Sequence, residues 1–239
     1  MSQLTLVRHG QAAFLSDDYD RLSSIGEAQA RQLGAFWRMR GMTFDGIYTG
    51  PRVRQINTAK YVGESYAEAG LAWPEPVVIE ELDEYDGDGI LREILPVLAA
   101  NDAALKSLVE NFEQASEPAE RYKHFQKMFE AVTMRWVRGA TASPGVESWR
   151  GFHDRVRRGM GRMVDGVTGG KRMAVFTSGG PISIMAQLAM RAPEEVAIEL
   201  NWRIRNCSLT EIVFTKDRVT LDSFNGIPHL HEPSLWTYR

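Results

Sequence analysis

Arginine, histidine and carboxylate side chains follow several short apolar runs of this sequence. Arg8 and His9 come directly after the run at 4–7, Arg54 lies shortly after a second run, and Glu84 follows a third. Two guanidinium groups can hold a phosphate dianion through paired, charge-assisted hydrogen bonds. Positive charge beside an imidazole also lowers its pKa, so His9 would be neutral near pH 7, as a nucleophile must be. Side chains of these types could therefore bind and transfer a phosphoryl group, although a single histidine after a strand is more often structural than catalytic.

The acidic stretch at 80–84 contains the candidate proton donor. When a phosphate ester bond breaks, the leaving alkoxide needs a proton. A carboxylic acid can supply that proton at neutral pH if it is buried or lies beside the substrate's negative charge. Glu84 could supply this proton, with Asp83 as the less favoured choice, although by itself a carboxylate in such an acidic stretch is ordinarily solvated.

A glycine turn, Thr177-Ser178-Gly179-Gly180-Pro181, follows the apolar run at 173–176. A strand, a turn and a helix with proline at its first position form an anion pocket, because the free N–H groups of the helix point toward the ligand. Ser178 and Gly179 are therefore predicted to bind phosphate. Ser178 does not fit a Gly-x-Ser-x-Gly nucleophile elbow, since position 176 is phenylalanine.

The composition sets limits on the class of protein. With 239 residues, 44% of them hydrophobic, the chain can bury a core, and its formal charge of -3 argues against nucleic-acid binding. The single cysteine, Cys207, excludes an intramolecular disulfide and fits a reducing compartment. The sequence shows neither an export signal nor a membrane span, so we expect a cytoplasmic protein that binds no membrane. We also expect no metal and no cofactor, because no three strong ligands stand at a recognisable spacing.

The periodicity of the chain predicts the elements that position these residues. Strands are predicted at 4–7, 44–48, 77–79 and 173–176, with a hairpin over 208–224, and helices at 24–40, 53–66, 147–164 and after Pro181. Ser24 and Glu27 form the expected capping box of the first helix. This alternation predicts a three-layer α/β/α sandwich with a mostly parallel central sheet. We interpret 1–239 as a single domain in which 88–140, with helical spacing and no strand, is a helical cap insertion.

The motifs together resemble the histidine phosphatase superfamily, also called phosphoglycerate mutase-like. That family has a first strand ending in Arg-His-Gly, then Leu-Ser/Thr-x-x-Gly-x-x-Gln-Ala, which residues 22–30 match closely. Its next motif, Ser-Pro-x-x-Arg-Ala-x-Gln-Thr-Ala, is matched at four positions of the stretch 50–59 and departs at three. The matches are Pro51, Arg54, Thr58 and Ala59, and the departures are Gly50, Gln55 and Asn57. Leu82-Asp83-Glu84 is similar to the family's Leu-x-Glu.

The resemblance implies a role for each matching residue. His9 would form a phosphohistidine that water then hydrolyses, Arg8 and Arg54 would bind the phosphoryl group, and Glu84 would donate the proton. The expected activity is a metal-independent phosphomonoester hydrolase acting on a small phosphorylated metabolite or phosphoester. Phosphoglycerate mutase-type transfer is an alternative, less favoured because position 15, where mutases tend to have asparagine, is leucine.

Ser178 is the main departure from the family, which has a second histidine at this position. A neutral hydroxyl replaces a group that can carry positive charge, so we expect a slower or differently tuned enzyme. Removing one aligned donor from such a site costs about 3 kcal/mol. Restoring histidine would raise the rate if the pocket merely lacks charge. Other cations could also substitute, namely Arg203, Arg205, His229 or His231. A further alternative is a noncatalytic module that binds a phospho-ligand or a protein.

Overall fold

The structure, a computed structural model, describes residues 1–13, 20–141 and 143–238. They form two compact units, one of residues 1–84 and 155–239 and one of residues 85–154. The stretch 88–140, predicted as a helical insertion, lies within the second unit, whose bounds are wider at both ends. The single-domain organisation and the capping role of 88–140 stay predictions.

The first unit is organised around a six-stranded sheet in the order β3-β2-β4-β1-β5-β6. The strands are β1 (Ser2–Arg8), β2 (Gly46–Thr49), β3 (Val77–Val78), β4 (Arg172–Thr177), β5 (Leu209–Phe214) and β6 (Val219–Gly226). The pairs β1–β4, β2–β4 and β2–β3 are parallel, whereas β5 pairs antiparallel with β1 and β6. The predicted α/β sandwich with a mostly parallel sheet is confirmed. Because β1, β2 and β4 are parallel neighbours, the residues that follow them meet at one edge of the sheet.

The α-helices of the described chain are α1 (Ser24–Met39), α2 (Val53–Ala67), α3 (Gly87–Gly89), α4 (Leu95–Ala99), α5 (Ala103–Gln114), α6 (Pro118–Val137), α7 (Trp149–Val164), α8 (Gly179–Met190) and α9 (Glu195–Asn201). A π-helical turn at Ile90–Ile94 precedes α4. The short helix α9 has no counterpart in the prediction from sequence.

Two helix starts differ from the prediction. The capping residue of α1 is Ser23, whose side chain accepts a hydrogen bond from the Gly26 N–H at 3.1 Å, so the capping box at Ser24 and Glu27 is wrong. The cause is the choice between two adjacent serines, which spacing does not settle. Pro181 occupies the third position of α8, because the helix already begins at Gly179. A proline is tolerated there because the first-turn N–H groups have no partner within the helix.

The sheet and helices bury a continuous apolar core. One cluster joins side chains of α1 and α2 to the sheet: Val7, Ala30, Leu33, Phe36, Trp37, Phe44, Ile47, Ala59, Val62, Tyr66, Ala174, Phe176, Cys207 and Leu209. Helix α8 is buried along nearly its whole length, as its sequence of Ile, Met and Ala residues dictates. The start of α2 follows the end of β2, and the start of α8 follows the end of β4, at the same edge of this buried sheet.

The second unit is helical and has its own aromatic centre. The indole of Trp136 lies 5.4 Å from the rings of both Tyr85 and Trp149 and donates a hydrogen bond to the Glu147 carbonyl at 3.0 Å. Asp102 caps α5 and forms an ion pair of 2.6 Å with Arg135 of α6. These contacts stabilise the unit internally.

No helix in the described ranges combines the length and apolar character that a membrane crossing requires.

Candidate active site

His9 lies immediately after β1, at the edge where the parallel strands end. Its backbone N–H donates to the Thr177 carbonyl at the end of β4, at 2.8 Å. Its own carbonyl accepts from the Cys207 N–H at 3.2 Å and from the Asn206 side chain at 3.3 Å. A Cβ on the next residue, Gly10, would lie 2.4 Å from the Gly26 carbonyl oxygen. Glycine therefore allows the loop after His9 to lie against the start of α1.

The imidazole of His9 is buried and its two nitrogens have different partners. Nδ1 lies 2.7 Å from the Gly10 carbonyl oxygen, which can only accept, so Nδ1 carries the proton. Nε2 accepts a hydrogen bond from the Arg54 Nε–H at 3.1 Å. The unprotonated nitrogen thus faces the guanidinium group. This is the tautomer that a nucleophilic Nε2 requires.

Burial lowers the pKa of His9 well below its ordinary value, and the charges of Arg54 and Arg8 lower it further. The imidazole is therefore neutral at physiological pH. The predicted neutrality of His9 agrees with this direction.

The two arginines near His9 are held by different groups. Arg54, in the first turn of α2, forms an ion pair of 2.6 Å with Asp20, whose other carboxylate oxygen accepts from the Val53 N–H at 2.8 Å. Arg8 donates through Nη1 to the Ile204 carbonyl. Asp20 therefore sets the orientation of Arg54, and it would compete with a phosphate dianion for the same guanidinium.

The acidic stretch distinguishes Asp83 from Glu84. The Asp83 carboxylate accepts from Arg52 Nε at 2.5 Å and from the Glu84 N–H at 2.7 Å. Partial burial lowers the pKa of Arg52. The nearby carboxylates of Asp83, Asp20 and Glu84 have the larger opposite effect, so the pKa of this guanidinium is raised. The Arg155 side chain supports the segment by donating to the carbonyls of Glu81 and Asp83 at 3.0 and 3.1 Å. Asp83 thus has a structural ion pair, which favours Glu84 as the acid.

Glu84 and the predicted phosphate-binding turn are in contact. One oxygen of the Glu84 carboxylate accepts from the Gly180 N–H, in the first turn of α8, at 3.3 Å. Gly179 is the first residue of that helix and Ser178 its N-cap. Ser178 is fully buried, and its hydroxyl oxygen lies 2.7 Å from Nε2 of Gln55. The structure thus brings the start of α8 next to the candidate acid and to α2.

Sequence reasoning missed Gln55, Asp20, Arg52 and Arg155 as members of this region. A signal existed for Gln55, because it departs from the family's alanine. The signal for the other three was absent, since a charged side chain in a loop or on a helix is ordinarily solvated.

The proposed substitutes for the second histidine find no support. Burial, helped by the neighbouring His231, lowers the pKa of His229 to about 3, so its ring is neutral near pH 7. Its ring packs 5.9 Å from that of Phe36. The Arg205 guanidinium lies 5.4 Å from the ring of Tyr238, and Arg203 is exposed. Within the described ranges, no cluster of three or more His, Cys, Asp or Glu side chains could hold a metal ion. Leu15, on which the preference for hydrolysis over mutase chemistry rested, lies outside the described residues.

A model of the histidine phosphatase superfamily (branch 1) matches the chain over residues 4–138 and 114–226. The chain belongs to the histidine phosphatase superfamily. Membership of this superfamily supports enzyme activity in phosphoryl hydrolysis or transfer. A search of curated proteins found no significant match.

Solved structures of similar fold include two phosphatases and a mutase. A phosphoglycerate mutase from Bacillus anthracis is 18% identical with a TM-score of 0.60, covering 95% of this chain and 94% of its own. Phosphoserine phosphatase from Entamoeba histolytica, in complex with 3-phosphoglyceric acid, is 16% identical with a TM-score of 0.60 and coverages of 96% and 99%. A mycobacterial glucosyl-3-phosphoglycerate phosphatase is 19% identical with a TM-score of 0.59 and coverages of 93% and 98%. At these identities the likeness establishes the fold of the superfamily and leaves the substrate open.

Proposed function

We propose that the protein is a phosphomonoester hydrolase that works through a phosphohistidine at His9 on a small phosphorylated substrate. The observation that carries the proposal is the state of the His9 ring. Its Nδ1–H is held by the Gly10 carbonyl, and its Nε2 lone pair faces the guanidinium of Arg54. A buried, neutral imidazole beside two arginines combines a nucleophile with the charges that bind its target.

The reaction follows from this arrangement. When a phosphoryl group binds, one of its oxygens replaces His9 Nε2 as the acceptor of the hydrogen bond from the Arg54 Nε–H. The lone pair of His9 Nε2 is then available for attack on phosphorus. The new P–N bond forms as the ester P–O bond breaks, and Glu84 gives its proton to the leaving alkoxide. Glu84 then accepts a proton from water, whose oxygen attacks phosphorus and breaks the P–N bond. Inorganic phosphate and the starting enzyme result.

Charge neutralisation in this scheme comes from protein side chains alone. Arg8 and Arg54 meet the phosphoryl dianion with guanidinium groups, whose planar geometry suits two parallel hydrogen bonds. The Gly179 N–H at the start of α8 adds a neutral donor, whereas the Gly180 N–H is already bound to Glu84. We therefore expect activity to persist in the presence of a chelator.

The test compares the wild type with His9→Ala, using p-nitrophenyl phosphate and a panel of phosphorylated metabolites between about pH 5 and about pH 8 with EDTA present. We expect His9→Ala to lose at least about a thousandfold in kcat, because no other group replaces the nucleophile. The protein quenched during turnover should carry an acid-labile phosphate on His9, identified by mass spectrometry. His124→Ala, at a partly exposed position of α6, is the control and should keep full activity.

Three results would contradict the proposal. Activity that survives His9→Ala would reject His9 as the nucleophile. Transfer of the phosphate within a phosphoglycerate without release of inorganic phosphate would identify a mutase. Phosphate binding without turnover of any substrate would identify a noncatalytic binding module, which is the alternative raised by the serine at position 178.

A further inference from the structure

Three residues that depart from the family pattern are connected in space through Gln55. Gly50 stands where the family has serine, Gln55 where it has alanine, and Ser178 where it has the second histidine. Gly50 follows β2 and Ser178 follows β4, which are parallel neighbours in the sheet. Gln55 lies in the first turn of α2 and reaches Ser178 at 2.7 Å. These three departures, separate in sequence, are therefore joined in space.

The orientation of Gln55 is set at both ends of its amide. Its Oε1 accepts a hydrogen bond from the Arg52 N–H at 3.0 Å, at the N-cap of α2. A backbone N–H can only donate, so the other end, Nε2, must be the donor to Ser178. The Ser178 oxygen is then an acceptor of this bond and retains its own proton as a donor. The pair is fully buried, and its geometry is fixed by partners on two elements.

The space for the Gln55 side chain depends on Gly50. A Cβ at position 50 would lie 2.2 Å from Gln55 Oε1 and 2.7 Å from the Leu82 carbonyl oxygen. Contacts below 3.0 Å do not occur for real Cβ atoms, so any side chain at position 50 would displace the glutamine or the backbone. The amide therefore fills a volume that exists only because position 50 is glycine. The Ser178 hydroxyl lies 2.7 Å from this amide, so an imidazole that points from position 178 in the same direction would meet the glutamine.

Ser178 connects this cluster to the reacting groups. The preceding residue, Thr177, accepts from the His9 N–H through its carbonyl and donates through its hydroxyl to the Leu82 carbonyl at 2.8 Å. The N–H of Gly180, two residues after Ser178, binds Glu84. A shift of Ser178 would therefore move the neighbours of both the nucleophile and the acid.

We propose that Gln55 is a positioning residue for phosphoryl transfer, which occupies the place of the absent imidazole and, with Gly50 and Ser178, forms one functional unit. The inference rests on the proposed function. Gln55 acts through Ser178 and the start of α8, because both ends of its buried amide are already bound, one by the Arg52 N–H and the other by Ser178. The serine at 178 is thus part of a coordinated replacement rather than a simple loss.

The first experiment removes the hydrogen bond while keeping the volume. Gln55→Met has a side chain of similar length that can neither donate to Ser178 nor replace the amide oxygen that accepts from the Arg52 N–H. We expect kcat to fall roughly tenfold or more with KM nearly unchanged, because binding at the two arginines persists while the alignment of donors is lost. A wild-type kcat in Gln55→Met would overturn the proposal, since packing alone would then explain the glutamine.

The second experiment is a double-mutant cycle between positions 55 and 178. Ser178→His alone should lose at least roughly tenfold in kcat, because the imidazole meets Gln55. The double variant Gln55→Ala/Ser178→His should recover at least roughly tenfold over Ser178→His, since alanine vacates the space. If Ser178→His raises kcat equally with glutamine or alanine at position 55, the two residues are independent and the proposal is wrong.

Controls separate this inference from the proposed function. Thermal unfolding checks that each variant folds, and if Ser178→His does not, Gln55→Met decides. Gln187→Ala removes another buried amide of α8, which donates to the Ala192 carbonyl at 2.5 Å, and should lower stability without changing kcat.

If the wild type turns over no substrate, the proposed function fails, and the same variants are compared by their Kd for orthovanadate. A roughly tenfold weaker Kd in Gln55→Met would then support the positioning role; an unchanged Kd, or no binding by the wild type, would overturn it.

Discussion

The two sides of the candidate site differ in their chemistry. The charged side consists of Arg8, His9 and Arg54, all of which match the family pattern. The neutral side consists of Gly50, Gln55 and Ser178, all of which depart from it. On the charged side the contacts are ionic or charge-assisted, whereas on the neutral side amide and hydroxyl groups bond to one another in a fully buried cluster. The comparison teaches that residues which depart from a motif at separate points of the chain can bond to one another, so the effect of one cannot be judged without the others.

Replacing Arg54 tests the charged side and should have the largest effect of the predictions that follow. Arg54→Ala should lower kcat/KM by about two to three orders of magnitude, and Arg54→Lys by somewhat less, since lysine keeps the charge but loses the two-point geometry. Both substitutions should also move the acid limb of the pH–rate profile. The shift should be larger in Arg54→Ala, which loses the charge, than in Arg54→Lys, which keeps it. Burial, Arg54 and Arg8 all lower the pKa of His9, so removing the charge of Arg54 raises it.

The sign of that shift follows from the role of His9. The ring must be unprotonated to attack, so a higher pKa makes activity fall at a higher pH as the solution is acidified. Steady-state rates across the pH range measure this limb. Arg31→Lys, at an exposed arginine paired with Glu64, should leave rate and profile unchanged. An unshifted limb in Arg54→Ala would show that the arginine does not act on the histidine.

Glu84 accepts a hydrogen bond from the first turn of α8, next to the neutral side. Its replacement should affect substrates differently, depending on whether their leaving group needs a proton. Glu84→Gln should lower kcat for an alkyl phosphate by about a hundredfold, and much less for p-nitrophenyl phosphate, because nitrophenolate leaves without a proton. Rates with both substrates give the ratio. Glu80→Gln, at an exposed carboxylate of the same stretch, is the matched control. Equal losses with both substrates would assign Glu84 to positioning rather than to proton donation.

Replacing His229, a buried histidine outside the site, should have the smallest effect on activity. It tests whether a buried, neutral histidine can affect stability without contributing to catalysis. Burial and His231 lower the pKa of His229 to about 3, so between about pH 3 and its ordinary value the unfolded chain binds more protons than the folded one. Stability should therefore fall on acidification, by up to about 1.4 kcal/mol per pH unit from this residue. His229→Phe should weaken that dependence and leave kcat unchanged.

Urea unfolding at neutral and mildly acidic pH measures this effect. His124→Gln, at a partly exposed histidine, should leave the slope as it is in the wild type. A loss of activity in His229→Phe would contradict the prediction, because it would show that His229 contributes to catalysis and not only to the buried core.

Much of the fold was predictable because its signals are local. Apolar runs such as 4–7 and 173–176 allow a buried strand, and the stripe through Leu33, Phe36 and Trp37 allows a helix that packs on one face. Helix starts were less predictable. Ser23 and Ser24 are equally good caps, and only backbone geometry chose the first. The short helix α9 carries too few residues for a periodic signal.

The sequence by itself determined the membership of the superfamily and the candidates on the charged side, since Arg8-His9-Gly10, Arg54 and Glu84 stand in the family's order. Tertiary structure decided which nitrogen of His9 faces Arg54 and that Asp83 is engaged by Arg52. It also decided that Gln55 lies against both Gly50 and Ser178. The physical reason is that these facts depend on contacts between strand ends and helix starts far apart in the chain. Side-chain spacing along the sequence does not record such contacts, whereas the parallel order of β2, β4 and β1 brings them together.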